Sequence, residues 1–244
     1  MSDYPKIARV GLRGVVVTFG ETMSDRANLA AIAFRAAVDA AGWAEVEETA
    51  STLVSTFLSV DLAIVPYDDI VARLEALLAA RDWYCAALPA GRRLWTLPMC
   101  FDPDVAPQLE NAARAAEVSM TDAVRQLSQA RTRVITLGFA PGQPYLGLLP
   151  KTWDIPRQSD LTPKVPTGAL VIAIRQFVLF ATSAPTGWRH VGQTAFRPFD
   201  PHRDVPVALS PGDEVRFATI TASELTQFEK ECDSMGGAES EMLP

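Results

Sequence analysis

Arg157 and Lys164 stand between prolines, in Pro156-Arg157 and Thr162-Pro163-Lys164-Val165-Pro166. A stiff loop of that kind can aim a guanidinium or an ammonium at a carboxylate or a phosphate. The same two residues also suit ordinary loop surface charge. Five further side chains offer hydrogen bonds or a flat apolar wall: Tyr145, Gln176, Trp188, Gln193 and Thr194. Trp188, after Pro185-Thr186-Gly187, fits a core plug and a pocket wall equally well. The stretch Gly138-Phe139-Ala140-Pro141-Gly142-Gln143-Pro144-Tyr145-Leu146-Gly147 follows the β-branched run Arg133–Leu137. Glycine can take a positive φ and admits a close neighbour, while proline fixes φ and donates no N–H. A strand ending in such a turn is compatible with a structural corner. It is also compatible with a ligand-contacting loop, in which Gly138, Phe139, Pro141, Gly142 and Tyr145 would meet the ligand.

Self-contained catalysis has little to draw on. With His190 and His202 as the two histidines, a zinc site or a Ser-His-Asp triad is not expected, and neither H-E-x-x-H nor G-x-S-x-G occurs. His190 alternates along a strand and His202 lies in a turn. The Gly138–Gly142 turn could offer backbone N–H groups to an anion, but its spacing matches neither glycine-rich phosphate fingerprint. Cys85, Cys100 and Cys232 are scattered and form no C-x-x-C pair, which fits a reducing cytoplasm. Cys100, in Leu97-Pro98-Met99-Cys100-Phe101, reads as a buried thiol. The formal net charge is −7 and no Lys/Arg run is present, so no nucleic-acid partner is expected. No apolar run reaches membrane-span length and the N-terminus lacks a signal-peptide pattern, so no membrane association is expected.

The 244 residues, 48% hydrophobic and 21% charged, suffice for one large or two small cores. A strand over Gly14–Gly20 precedes a helix that Ser24 caps and Gly42 closes. Strands near Ala44–Thr49 and Leu53–Ser59 follow. Then comes a helix capped by Asp68 or Asp69, with Val71, Leu74, Leu77 and Leu78 inward. The order strand, helix, strand, strand, helix predicts a small α/β sandwich of ferredoxin-like type over residues 1–88. Leu88–Arg93 reads as a linker with a solvated basic pair, Arg92-Arg93. Residues 89–244 begin with a strand over Leu94–Phe101 and helices over Ala106–Glu117 and Thr121–Ala130. Strands follow near Leu170–Ile174, Phe177–Ala181, Trp188–Val191, Val205–Leu209 and Glu214–Phe217. Their Pro/Gly spacing predicts a closed or nearly closed barrel. Ser223 would cap a last helix to about Cys232, with a frayed tail after it.

The order Gly138–Gly147, Pro156-Arg157, Thr162–Gly168, Pro185–Trp188, Val191-Gly192-Gln193-Thr194, Phe199-Asp200-Pro201 and Leu209–Phe217 resembles the KipI-like family. Members are also known as the B-type subunit of 5-oxoprolinase or as allophanate hydrolase subunit 1, the carboxyltransferase domain, subdomain C/D. The resemblance implies an α+β chain: the small N-terminal domain, then a cyclophilin-like β-barrel with a helical insert. It implies a hydrolase component that shares its active site with a KipA-like partner, the C-type subunit of 5-oxoprolinase or allophanate hydrolase subunit 2. The pair would open 5-oxoproline, a small amide, to glutamate with ATP bound somewhere in the complex. Arg157, Lys164 and Gln176 would then be the catalytic contribution of this chain. Gly138, Phe139, Pro141, Gly142, Tyr145, Trp188, Gln193 and Thr194 would be its substrate contacts. Two further functions go with the resemblance: half of a urea-amide carboxyltransferase using biotin from another protein, and inhibition of a histidine kinase by binding alone. The chain departs from the family where Gln-Thr-Gly-Ile-Tyr-Pro becomes Gln176-Phe177-Val178-Leu179-Phe180-Ala181. Gln143 also replaces an aromatic, and Gln193 an arginine.

Overall fold

The computed structural model describes residues 4–231 and 234–243. They group into two compact units, Met1–Ala90 and Gly91–Pro244. The first contains β1 (Lys6–Val10), β2 (Gly14–Thr18), α1 (Asp25–Ala41), β3 (Val46–Ser51), β4 (Ser55–Val60) and α2 (Tyr67–Ala79). Its sheet runs β1-β2-β4-β3, and every pair is antiparallel. Val15, Val17 and Leu58 of the sheet share one core with Phe34 of α1 and with Ile70 and Leu74 of α2. The Ser24 hydroxyl accepts from Ala27 N at 3.2 Å, and Gly42 ends α1 at φ 60°. These are the cap and stop expected of the sequence. Two expectations are corrected. The N-terminal strand is one arm of a β1–β2 hairpin, whose other arm, β1, is almost wholly exposed and carries no hydrophobic alternation to mark it. Neither Asp68 nor Asp69 caps α2: the helix starts from Pro66, and both acids sit in its first turn. There they favour the positive end of the helix dipole.

The second unit contains β5 (Arg93–Cys100), α3 (Leu109–Ala115), α4 (Met120–Ser128), β6 (Thr132–Leu137), β7 (Pro144–Gly147) and β8 (Thr162–Val165). It continues with β9 (Ala169–Ala173), β10 (Gln176–Leu179), β11 (Ala184–Thr186), β12 (Arg189–Gln193), β13 (Glu214–Ile220), α5 (Ala222–Lys230) and β14 (Glu239–Met242). The chain β12-β9-β10-β7-β6-β13-β5 closes on itself where Gln193 of β12 pairs with Cys100 of β5, giving a seven-stranded barrel. Closure removes the unpaired edges an open sheet would leave. The interior holds Leu97, Val134, Leu146, Ile172, Phe177 and Phe217. Phe177 meets Phe217 edge-on with centroids 5.7 Å apart. Cys100 is fully buried, and burial pushes its thiol pKa up, as for an inert core cysteine.

β9 and β10 are buried on both faces. Ile172 and Phe177 join the interior, while Val171, Ala173, Val178 and Phe180 join a separate cluster with Val165 and Trp188. Successive strand residues point to opposite faces, so this second cluster lies on the outside of the barrel wall. The β8-β11 ribbon brings Val165 to it.

Several sequence expectations are corrected here. Val205–Leu209 forms a single bridge, Val207 to Phe199, and no strand, since Pro206 cannot donate to a ladder. The tail is not frayed: Glu239–Met242 pairs with β5 from Thr96 back to Arg93. The last helix is capped by Thr221, not Ser223, in a capping box with Glu224. Its expected end at Cys232 lies outside the described residues.

The basic pair of the linker is also structural. Asp213 is 2% exposed. Its carboxylate accepts from Arg93 N (2.8 Å), Arg93 Nη2 (3.2 Å), Trp95 Nε1 (3.2 Å) and Ser210 N (3.0 Å). Arg92 pairs with Glu214 at 3.4 Å.

His190 is buried in β12, and its ring Nε2 lies 3.0 Å from Gly192 O. A carbonyl only accepts, so Nε2 carries the proton. Burial holds the His190 pKa below its ordinary value, against the raising effects of Gly192 and Gln193. As pH falls, the unfolded chain therefore takes up this proton first, beginning near the ordinary value of about 6.5. Stability contributed by neutral His190 is full above that pH. It is lost below it, by at most about 1.4 kcal/mol per pH unit until the folded pKa is reached. Urea melts of wild type and His190→Gln between pH 7.5 and 5 should show the shallower acid slope in the variant. Equal slopes would remove His190 as a source of acid sensitivity.

Candidate functional site

A cleft of about 200 Å³ opens on the outer face of β10. Val178 and Phe180 supply its apolar floor, and Tyr145, directly opposite Val178 in the β7–β10 register, supplies a wall. Trp188, 6% exposed, is both core and wall, with the Tyr145 ring edge-on at 6.2 Å. Exposed Phe139 and Leu161 form the rim. Pro185, Thr186 and Gly187 also line it, as do Gln143 and Arg157.

The Gly138–Gly142 turn places two of these residues. Gly138 N donates to Gln143 O and Gln143 N to Ala140 O, both at 3.1 Å, so these amides of the turn are spent internally and not on an anion. Gly142 takes φ 65°, and a Cβ there would lie 3.1 Å from the Phe199 Cβ. Phe139 adopts φ 73°, unusual for a bulky residue, and its ring is left in solvent. The turn itself places Gln143, and Pro144 then starts β7, which delivers Tyr145 to the cleft.

Arg157 is the only charged side chain among the described residues that line the cleft. Its guanidinium carbon sits 5.4 Å from the Trp188 ring centroid, within reach of a cation–π interaction. It makes no ion pair with a described residue. Burial pushes the Tyr145 hydroxyl pKa up, and nearby Arg157 opposes this in part; the phenol remains a protonated donor at neutral pH. The Thr186 hydroxyl accepts from Trp188 N at 3.1 Å. Gln158 Nε2 donates to Trp188 O at 3.2 Å, and Gln108 Nε2 holds Gln158 and Thr162 at 3.1 and 2.9 Å. The Trp188 wall is thus fixed from behind.

Of the residues singled out in the sequence, Phe139, Tyr145, Arg157 and Trp188 come together in the cleft, with Gly138, Pro141 and Gly142 in the adjoining turn. Lys164 lies exposed on β8, outside the lining. Gln176 is buried at the start of β10 opposite Gly147 and Ala173, also outside it. Gln193 is buried in β12, donating to Thr167 O at 2.8 Å and Thr194 O at 3.2 Å. Thr194 lines a different, smaller pocket of about 130 Å³ with Thr167 and Arg197. Sequence reading passed over Val178, Phe180, Leu161 and Thr186 as lining. The alternation along Gln176–Ala181 carried a signal for the first two. It sends Phe177 and Leu179 inward and Val178 and Phe180 into the cleft. Three of the departures from the family pattern, at Gln143, Val178 and Phe180, thus line the cleft, and the one at Phe177 fills the barrel.

Among the described residues, no Asp, Glu, His, Cys or Lys lines this cleft. It can hold a small anion with an apolar body, but its own lining has no general base. Among the described residues, no group of three or more His, Cys, Asp or Glu could hold a metal ion. No described helix is long and apolar enough to cross a membrane.

Known proteins share both the sequence pattern and the architecture. The family described as "Carboxyltransferase domain, subdomain C and D" matches residues 5–209. The chain is 26% identical over 238 residues to the 5-oxoprolinase B-type subunit of Bacillus subtilis strain 168, covering 93% of this chain and 97% of that one. It is 34% identical over 146 residues to the corresponding B-type subunit of Escherichia coli O157:H7, covering 59% of this chain and 67% of that one. Among solved structures, TTHA0988 superposes with a TM-score of 0.73 at 26% identity over 86% of this chain. The match spans 40% of the length of TTHA0988.

Proposed function

The chain belongs to the carboxyltransferase-domain family of subdomains C and D, and on that footing we propose that it is the B-type subunit of an ATP-dependent 5-oxoprolinase. The observation that carries this reading is the cleft itself. It offers one unpaired guanidinium, a phenol and an amide around an apolar floor, and no general base of its own. That is half of an active site. A KipA-like partner would complete it, in a hetero-oligomer working in the cytoplasm, with ATP bound in the complex. The lactam oxygen takes the γ-phosphoryl group of ATP. Water then adds at the activated carbon, the ring C–N bond breaks, and phosphate leaves, giving glutamate, ADP and phosphate. Cations stabilise the negative charge that develops. Arg157 holds the substrate carboxylate; Lys164 and Gln176, outside the cleft, would act only through a surface the partner completes. The names of the relatives support the assignment.

The same reading takes residues 1–88 as a ferredoxin-like domain and residues 89–244 as a cyclophilin-like barrel. The sheet order β1-β2-β4-β3 supports the former, with β1 at an edge.

Coexpression with a KipA-like partner should give a stable complex that releases glutamate from 5-oxoproline only when ATP and both chains are present. This chain alone should release none. Failure to form any complex would remove the subunit reading. A stable complex without turnover would redirect it to binding-only regulation.

A further inference from the structure

Resting on the subunit reading, we propose that Gln143 reads the carbonyl oxygen of the ligand while Arg157 takes its carboxylate. The cleft thereby selects small acids that bring a carbonyl acceptor as well as the carboxylate. Gln143 is 1% exposed and yet lines the cleft. Ala181 N lies 3.3 Å from one branch of its amide. A backbone N–H only donates, so that branch is Oε1, and the other is Nε2. Nε2 makes no hydrogen bond with any described residue. An amide donor in that state is open to water in the cleft or to an acceptor brought by a ligand.

Arg157 adds a second donor group and no acceptor. With Oε1 committed to Ala181, Gln143 and Arg157 present donors to the ligand, while the Tyr145 and Thr186 hydroxyls can donate or accept. Val178 and Phe180 offer nothing to a polar substituent, which would lose its water there without replacement. A lactam acid fits: its carboxylate and carbonyl are acceptors, and its single ring N–H can be met by the Tyr145 hydroxyl, which can accept. A zwitterionic amino acid does not, because its ammonium would face Arg157. Ring opening of 5-oxoproline creates such an ammonium. The cleft therefore holds the substrate and rejects the product, which gives Gln143 and Arg157 a part in product release.

The test titrates the full chain, alone and in its complex, with 5-oxoproline, with cyclopentanecarboxylate (no carbonyl) and with glutamate. Gln143→Glu keeps an acceptor for Ala181 N but replaces the donor facing the ligand by an acceptor. Any repulsion of the carboxylate is common to both cyclic acids, so the change in the ratio of their affinities isolates the contact with the lactam group. Wild type should prefer 5-oxoproline to the other two ligands, and Gln143→Glu should reduce its preference over cyclopentanecarboxylate by about tenfold. Gln143→Met, uncharged and of similar length, should shift the ratio in the same direction and serves if Gln143→Glu fails to fold. An unchanged ratio in a folded variant overturns the role of Gln143. Glutamate binding as tightly as 5-oxoproline overturns the discrimination against an ammonium. Glutamate release from the complex is scored separately. Release with an unchanged ratio sinks this inference and leaves the subunit reading standing; a shifted ratio without release does the reverse.

Discussion

Arg157→Ala is expected to lower kcat/KM of the assembled enzyme for 5-oxoproline by about 10- to 100-fold, through KM more than kcat. The guanidinium is the single charge lining the cleft and has no competing carboxylate among the described residues. A hydrogen bond to a charged group contributes about 1.5–3 kcal/mol, which sets the size of the loss. The substrate carboxylate keeps its charge through phosphorylation and ring opening. The contact is therefore worth the same in ground state and transition state, and its loss appears in KM. Arg157→Lys should recover part of the loss, since an ammonium keeps the charge but not the flat, bidentate face that lies over Trp188. Steady-state kinetics of the three complexes decide it. An unchanged KM in Arg157→Ala would place the carboxylate elsewhere.

Asp213→Ala should be the most damaging substitution for folding, lowering the stability of the barrel unit by about 3 kcal/mol. The carboxylate is 2% exposed and accepts from two backbone amides, an indole and a guanidinium. Its removal leaves buried donors without partners, and each such donor costs about 1–3 kcal/mol. The Arg93 side chain is 31% exposed and can recover water, so the lower end of that range applies to it. At about 2–4 °C per kcal/mol for a domain of this size, the melting midpoint should fall by about 6–12 °C. Asp213→Asn keeps one carbonyl acceptor and should lose less. A melting curve for Asp213→Ala within about 2 °C of wild type would mean that the donors find other partners.

Much of the local structure was legible. Ser24 and Gly42 bound α1 because a hydroxyl beside free amides and a residue tolerant of positive φ are local requirements. Barrel closure was foreseen from strands spaced by Pro and Gly. What failed, failed for want of a local signature. β1 is exposed, so its pairing with β2 leaves no hydrophobic alternation. β14 is exposed at all four positions, and only its ladder with β5 makes it a strand. Arg93 looked like solvated charge because its partner, Asp213, is 120 residues away in sequence.

The candidate site divides the same way. By itself, the sequence determined the residue types available for chemistry: a rigid loop carrying Arg157, a glycine-proline turn before Tyr145, an indole at Trp188, and two histidines unsuited to a triad. It also carried the ordered motifs that place the chain in its family. Only the tertiary structure decided which of these residues meet. Arg157, Tyr145 and Trp188 share a cleft, while Lys164, Gln176, Gln193 and Thr194 do not line it. The reason is the two-residue period of a strand together with closure of the barrel. Alternation sends Val178 and Phe180 outward and Phe177 inward, and strand pairing sets Tyr145 beside Val178 across 33 residues of chain. The free donor of Gln143 was likewise out of reach of sequence, because a backbone amide from Ala181, 38 residues on, turns that side chain to face the cleft.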